Sequence, residues 1–451
     1  STLFANNTGV TTFASSFQGC TALTSVPSTL FANNTGVTTF ASSFQGCTAL
    51  TSVPSTLFAN NTAVTTFDNC FLGVTLTTTS YSDLLVNIAS NAASRQNNVP
   101  FHGGNSKYNF NGETARQTLQ AKSWSFTDGG LVDTWDLGIQ TVGPNQAFGI
   151  QLNGTNPNIS VSWGDGTIQT FNTVGNKTRT YASAGNYTVR IFGSFSSNGN
   201  IRIINGNLLQ STSVIPTIPG LNNCTSLFED CTSLTTVPST LFASNTAVTN
   251  FGSLLRNCTA LTGVPSTLFA NNTAVNTFAS SFQGCTALTS VPSTLFANNT
   301  AANTFISSFQ GCTALASIPS ILFATNTLAN NFTSSFKGCT SLTSVPSELF
   351  ASNTVATNFN SSFESCTALS SVPSGLFANN TAVISFADCF SSVTLTTSSY
   401  SNLLINIASN AASRLNNVPF GGGNSKYNLD GETARNILTG KNWTFADGGL
   451  E

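Results

Sequence analysis

Residues 1–27, STLFANNTGVTTFASSFQGCTALTSVP, recur without a change at residues 28–54. A repeat with a period of 20–50 residues is the signature of a stacked architecture, because one copy cannot bury its apolar side chains alone. The same 27-residue pattern returns further along the chain. Its cysteines fall at Cys231, Cys258, Cys285, Cys312, Cys339 and Cys366, in the position that Cys20 and Cys47 hold in the first two copies.

One copy reads as three short pieces. After Cys285, the segment TALTSVP points Leu288 and Val291 inward and suits a short strand that Pro292 ends. Ser293 can cap a turn of helix bearing Leu295 and Phe296. The NNT triplet is a polar turn. Val275, Phe278 and Phe282, spaced by three and four, predict a second short helix that Gly284 closes. The expected fold is an α/β repeat solenoid with a short strand plus short helices per coil. Its many phenylalanines form a structural spine and not a binding platform.

Each array ends alike. Val74 and Val393 stand where the cysteine belongs, and an end module follows. In the first module, Leu84, Leu85, Ile88, Ala89 and Ala92 make one apolar helix face, and a second short helix is expected near Thr114–Lys122. The module's role is to close the exposed end of a stack. Tyr81, Cys70, Phe101 and Trp124 recur 319 positions later as Tyr400, Cys389, Phe420 and Trp443. The chain therefore reads as one 319-residue unit preceded by the last 132 residues of another. With the absence of any Met, this predicts a piece of a longer tandem protein.

Composition narrows the function. Of 451 residues only 7% are charged, the formal net charge is −2, and there is one His. Without a basic excess there is no electrostatic footprint for nucleic acid. Few titratable groups leave little material for acid–base catalysis. No run of 18 apolar residues marks a membrane span, and no basic-then-apolar start marks a signal peptide.

The boundaries follow: an array at 1–80, its end module at 81–131, a linker at 132–143, an insert at 144–205, a second array at 206–399, and its end module at 400–451. The insert alternates apolar and polar residues in FGIQL, ISVSW, TIQTF, YTVRIF and IRII, the pattern of a small antiparallel all-β sandwich between the two solenoid arrays. Its residues Trp163-Gly164-Asp165-Gly166, with Tyr181-ASA-Gly185-Asn186-Tyr187 following, resemble the polycystic kidney disease (PKD) domain. That resemblance implies an immunoglobulin-like sandwich in which these residues are fold determinants. Asp165 is read as a turn residue bonding its own backbone in preference to a calcium ligand.

The repeats are similar to another family as well. CTALTSVP, LFxNNT and FxxxFxGC, with the end-module string GNSKYN, resemble the BspA-like leucine-rich-repeat surface proteins of the 25–27-residue repeat variety. The resemblance implies a leucine-rich-repeat-like solenoid in an extracellular or cell-surface protein with a structural or adhesive role. It carries over no catalytic residue. Like chains, a matrix protein or a glycan are the partners expected; a ligand-binding adhesin and a phage or virus fibre component are the alternatives.

No cofactor, metal site or catalytic group is expected. The cysteines, each alone in its copy, lack the clustered spacing of a metal site. They read as small buried residues, with a stapling disulfide between Cys224 and Cys231 as a second reading. His102 has Gly421 as its counterpart, so it is not a duplicated catalytic group. With His102 set aside no Ser–His–Asp triad can be built, and without a second His no two-His metal site can be. Arg95, Lys107, Glu113, Arg116, Lys122 and Asp128 all recur in the second end module, which ion pairs and helix-end contacts explain. The N-N-T triplets at Asn6, Asn33, Asn60, Asn271, Asn298 and Asn379 are acceptor sequences for N-glycosylation in a secreted chain.

Overall fold

A computed structural model describes residues 3–451. The backbone divides into two compact units, one running to Asp133 and one from Thr134 to Glu451.

The 27-residue copies stack, but not as strand-plus-helix coils. The chain is 13% helical and 19% strand. Among the described residues, the α-helices lie only in the end modules. The coils are consecutive turns joined by single parallel bridges, as in the file Asn223, Asn250, Thr277, Thr304, Asn331, Asn358 and Ser385. The expected α/β solenoid is therefore corrected. The residues read as helical are buried as predicted, with Val275, Phe278 and Phe282 fully enclosed. Their backbone is not helical because Ser280 sits at φ 56°, which a right-handed helix excludes. N–H groups alternate instead between the two directions. Ser280, Phe282 and Gly284 donate to Ile306, Ser308 and Gln310 in the next coil, while Ser281, Gln283 and Cys285 close local turns. The expected strand after Cys285 forms no ladder; the bridges lie at Thr277 and its equivalents.

Files of identical side chains hold the coils together. Phe269 and Phe296, Phe278 and Phe305, and Phe282 and Phe309 stack with centroids 6.1, 5.8 and 5.3 Å apart. A buried asparagine in each coil reaches back to the one before: Asn299 Nδ2 donates to the carbonyls of Asn272 (2.8 Å) and Phe269 (3.1 Å). Buried Ser308 bonds the carbonyls of Phe305 and Phe278. Polar side chains thus supply donors that a turn-rich backbone would otherwise lack.

The end module of the first unit contains α1 (Thr78–Ser90), β1 (Pro100–His102), α2 (Phe110–Gln120) and β2 (Ser125–Thr127), with β1 and β2 parallel. Thr77 and Asn109 cap the two helices through their side chains. Trp124 packs on Phe67, and its Nε1 donates to the Gln96 carbonyl.

The second unit opens on two sheets. Strands β3 (Trp135–Thr141), β5 (Asn158–Ser162), β6 (Ile168–Phe171), β8 (Gly185–Ser194) and β10 (Leu209–Thr212) form one, in the order β10-β3-β8-β5-β6. Strands β4 (Gln146–Thr155), β7 (Gly175–Tyr181), β9 (Ser197–Ile204) and β11 (Leu221–Asn223) form the other, in the order β11-β9-β4-β7. This corrects the expected self-contained immunoglobulin-like sandwich at 144–205. The sheets begin at Trp135, inside the stretch read as a linker, and run to Asn223. Their core is continuous with the coils that follow. Trp135 meets Phe228 edge-on at 5.9 Å, and Asn223 of β11 bridges Asn250 of the next coil. A Cβ on Gly206 would come 2.6 Å from Cys231 Sγ, so only glycine allows the sheet to close on the first coil. The unit ends in the second module, α3 (Thr397–Ser409), β12 (Pro419–Gly421), α4 (Leu429–Thr439) and β13 (Thr444–Ala446). Among the described residues, no helix is long and apolar enough to cross a membrane.

Candidate functional site

Strand register places polar side chains in rows on the outer face of the four-stranded sheet. Gln151 of β4 is opposite Asn176 of β7 on one side and Arg202 of β9 on the other. Their neighbours Ile150, Leu152, Ile201 and Ile203 are buried, so alternation turns Gln151 and Arg202 outward. Two residues along, Asn153 of β4 is opposite Asn200 of β9, which is opposite Asn223 of β11. Asn153 Nδ2 donates to Asn200 Oδ1 (3.1 Å), and Asn200 Nδ2 donates to the carbonyls of Asn223 and Thr225.

The first row continues into the coils. Arg202 Nη2 lies 3.1 Å from Glu229 Oε2 and 3.9 Å from Asp230 Oδ2. Glu229 is also held by Arg256 Nη1 of the next coil, at 3.2 Å. Asn257 Nδ2 donates to Asp230 Oδ1 (2.9 Å). The rows and the coil edge wall a hollow of about 540 Å³ lined by Gln151, Asn176, Arg202, Asn205, Asn207, Glu229, Asp230 and Thr232. A second hollow of about 370 Å³ shares Gln151 and Arg202 with it and is lined by Asn153, Asn198, Asn200, Asn223, Thr225 and Ser226. Together they make one groove. Its opposite charges are paired, so it offers neutral hydrogen bonding more than a field.

Sequence reasoning missed these residues, although a signal exists. Two interior coils read Gln283-Gly284 and Gln310-Gly311 before the cysteine and two later ones Lys337-Gly338 and Glu364-Ser365; the first reads Glu229-Asp230 and the second Arg256-Asn257. The glycines there have φ near 73°. Asp230 and Asn257 accept the same left-handed geometry at φ 62° and 58°, which short polar residues tolerate best after glycine. The departures bring four polar side chains to the coil edge beside the sheet.

The residues singled out from sequence lie elsewhere. Cys47, Cys231, Cys258, Cys285, Cys312, Cys339 and Cys366 are buried free thiols, and Cys20 is exposed. Cys285 Sγ donates to the Leu255 carbonyl at 3.1 Å, and Cys258, Cys312, Cys339 and Cys366 repeat the bond in their own coils. Burial pushes the Cys285 and Cys366 thiols up to about 12. Cys224 and Cys231 are buried thiols that no disulfide joins. Among the described residues, no three His, Cys, Asp or Glu side chains gather as a metal site.

The Trp163-Gly164-Asp165-Gly166 turn is organised by its own backbone. Asp165 Oδ1 accepts from Thr167 N–H (2.9 Å) and Oδ2 pairs with Arg179 Nε (2.6 Å). Burial raises the Asp165 carboxyl, but these bonds outweigh it and hold the group below its ordinary value. Both carboxylate oxygens are thus engaged, one by the turn's own backbone and one by Arg179 of β7. Tyr181 donates its hydroxyl to the Trp163 carbonyl and packs at 4.3 Å on Tyr187, beyond Gly185. Asn6, Asn33, Asn60, Asn271, Asn298 and Asn379 are all exposed. The amides of Asn33, Asn60, Asn271, Asn298 and Asn379 each donate to an alanine carbonyl of the coil before. His102 lies in β1, where its Nδ1 accepts from Gly104 N–H at 3.2 Å.

The recurring charges close the stacks. Arg116 reaches Asp128 (3.4 Å) and Arg435 reaches Asp447 (3.2 Å), while the Tyr81 and Tyr400 hydroxyls donate to the same carboxylates. Arg95 and Arg414 are buried and bond only carbonyls. Lys122 Nζ donates to the Ala92 and Arg95 carbonyls. Comparison with protein-family models, curated proteins and solved structures finds no match to this chain.

Proposed function

We propose that this chain is an extracellular or cell-surface structural and adhesive repeat protein, built from tandem 319-residue units and acting through its neutral polar surface. The observation that carries this reading is the division of labour within each coil. Phe, Asn, Ser and Cys face inward in files, and outward positions are left to Thr, Asn, Ser and Ala. A surface so poor in charge engages partners by hydrogen bonding, which salt screens little. The exposed N-N-T turns agree with a secreted chain.

Two measurements test it. Electron microscopy of the purified chain at high concentration is expected to reveal higher-order assemblies; a monodisperse monomer would count against the assembly half. Beads coated with the chain are expected to hold to extracellular matrix or glycan-bearing surfaces in 0.5 M salt. Release by that salt would count against the neutral-surface half. A saccharide-binding module is the second reading, favoured by the amide-lined groove at the start of the second stack.

A further inference from the structure

We infer that the groove across β4, β7, β9 and the first coil of the second unit binds a neutral oligosaccharide. The inference rests on the adhesive reading for its biological sense, but its geometry and its test are separate. At about 540 and 370 Å³, the two hollows have the size of small-molecule sites. Their lining does not suit an apolar ligand: amides, one guanidinium, two carboxylates and hydroxyls dominate, and Ile203 and Ile204 are the apolar residues of the larger hollow. Amides both donate and accept, and carboxylates and guanidinium groups present planar pairs of atoms. Neighbouring sugar hydroxyls, each a donor and an acceptor, are the complement of such a set.

The rows set the direction. Asn176, Gln151 and Arg202 stand on adjacent strands, ~4.8 Å apart. Asn153, Asn200 and Asn223 form a second row two residues along. Because both hollows share Gln151 and Arg202, a chain of several sugar rings can lie over both. The framework is fixed beforehand by bonds that the ligand need not supply: Arg202 to Glu229, Arg256 to Glu229, Asn257 to Asp230, and Asn200 to two carbonyls. Among the described residues, no hydrogen bond engages the side chains of Gln151, Asn176 and Asn207, which remain available to a ligand. A charged ligand is disfavoured, since Arg202 and Arg256 together offset Glu229 and Asp230 at the coil edge. The groove's lining contains no aromatic ring on which a sugar face could stack, so single-site affinity is weak, with Kd on the order of millimolar.

Saturation-transfer NMR with maltotriose, cellotriose, xylotriose and N,N′,N″-triacetylchitotriose tests this on the full chain. At least one trisaccharide is expected to bind, equally in 0.05 and 0.5 M NaCl. The Gln151→Ala/Asn176→Ala variant is expected to lose at least tenfold in affinity while melting at the wild-type temperature, because neither side chain bonds the protein. Binding by none of the four, or unchanged binding by the variant, would overturn the inference. So would a melting shift with 5 mM calcium chloride in the absence of sugar binding, which would make the groove a cation site. If the unsubstituted chain adheres to matrix while none of the four sugars binds it, the groove assignment falls and the adhesive reading stands. If sugar binds but the chain adheres to nothing, the reverse holds.

Discussion

Arg95 donates to the carbonyl of Asn61, the acceptor that the asparagine of a further coil would take. In the stack Asn61 Nδ2 itself reaches Asn34 and Phe31. No coil follows, and the guanidinium bonds Asn61 (3.3 Å), Phe58 (2.9 Å) and Ile88 (2.8 Å). Arg414 does the same for Asn380, Phe377 and Ile407. The asparagine file thus ends on an arginine. Arg414→Ala is expected to cost roughly 3 kcal/mol, since it strips a donor from three buried carbonyls. Arg414→Lys is expected to restore little of it, because an ammonium lacks the planar fork that spans three acceptors. Urea unfolding of both variants measures this.

Buried thiols make the second unit sensitive to alkali. Burial raises Cys224 and the seven thiols from Cys231 to Cys389. The unfolded chain releases those protons near pH 8.5 and the folded chain keeps them, so stability is full below that pH and falls as pH rises. Each thiol contributes ~1.4 kcal/mol per pH unit above it. Arg414, lowered to about 10 by burial, acts in the opposite sense above that pH. One such group against eight thiols leaves the net effect destabilising. The urea midpoint is expected to drop steeply between pH 8.5 and 10.5, and less steeply in a Cys285→Ala/Cys312→Ala variant.

Exposure separates one cysteine from the rest. Iodoacetamide at neutral pH is expected to label Cys20 in the native chain and the others only after unfolding. Mass spectrometry of the labelled peptides reads the result. Failure to label Cys224 and Cys231 even when unfolded without reductant would indicate a disulfide between them.

The left-handed serine decides the coil's path. Ser280→Gly is expected to leave stability unchanged or raise it by up to ~1 kcal/mol, whereas Ser280→Val is expected to lower it by about 1–3 kcal/mol, since β-branching resists positive φ. Equal melting temperatures for the two variants would contradict this account of the turn.

Much of the architecture is legible in particular residues. The cysteine spacing sets the coil length, and the inward set Val275, Phe278, Phe282, Leu288, Val291, Leu295 and Phe296 is buried. The apolar face of Leu84, Leu85 and Ile88 lies in α1, and the second helix near residue 114 lies in α2. The helical reading of the coil failed because spacings of three and four report which side faces inward, and a chain of turns can satisfy them as well as a helix. The groove was less legible. Glu229, Asp230, Arg256 and Asn257 show as departures from the motif, but their partners Gln151, Asn176 and Arg202 come from separate strands.

The amino-acid sequence by itself determined the period, the duplication and which side chains are buried, because these follow from local pattern and from the impossibility of burying one copy alone. Only the tertiary structure decided how each coil's hydrogen bonds are met. An N–H that pairs with a carbonyl 26 residues away leaves no trace in local spacing, and neither does an arginine that ends a file of asparagines. The groove belongs to the same class. Strand register and the closure of the sheet on the first coil, through Gly206 and Cys231, bring its walls together.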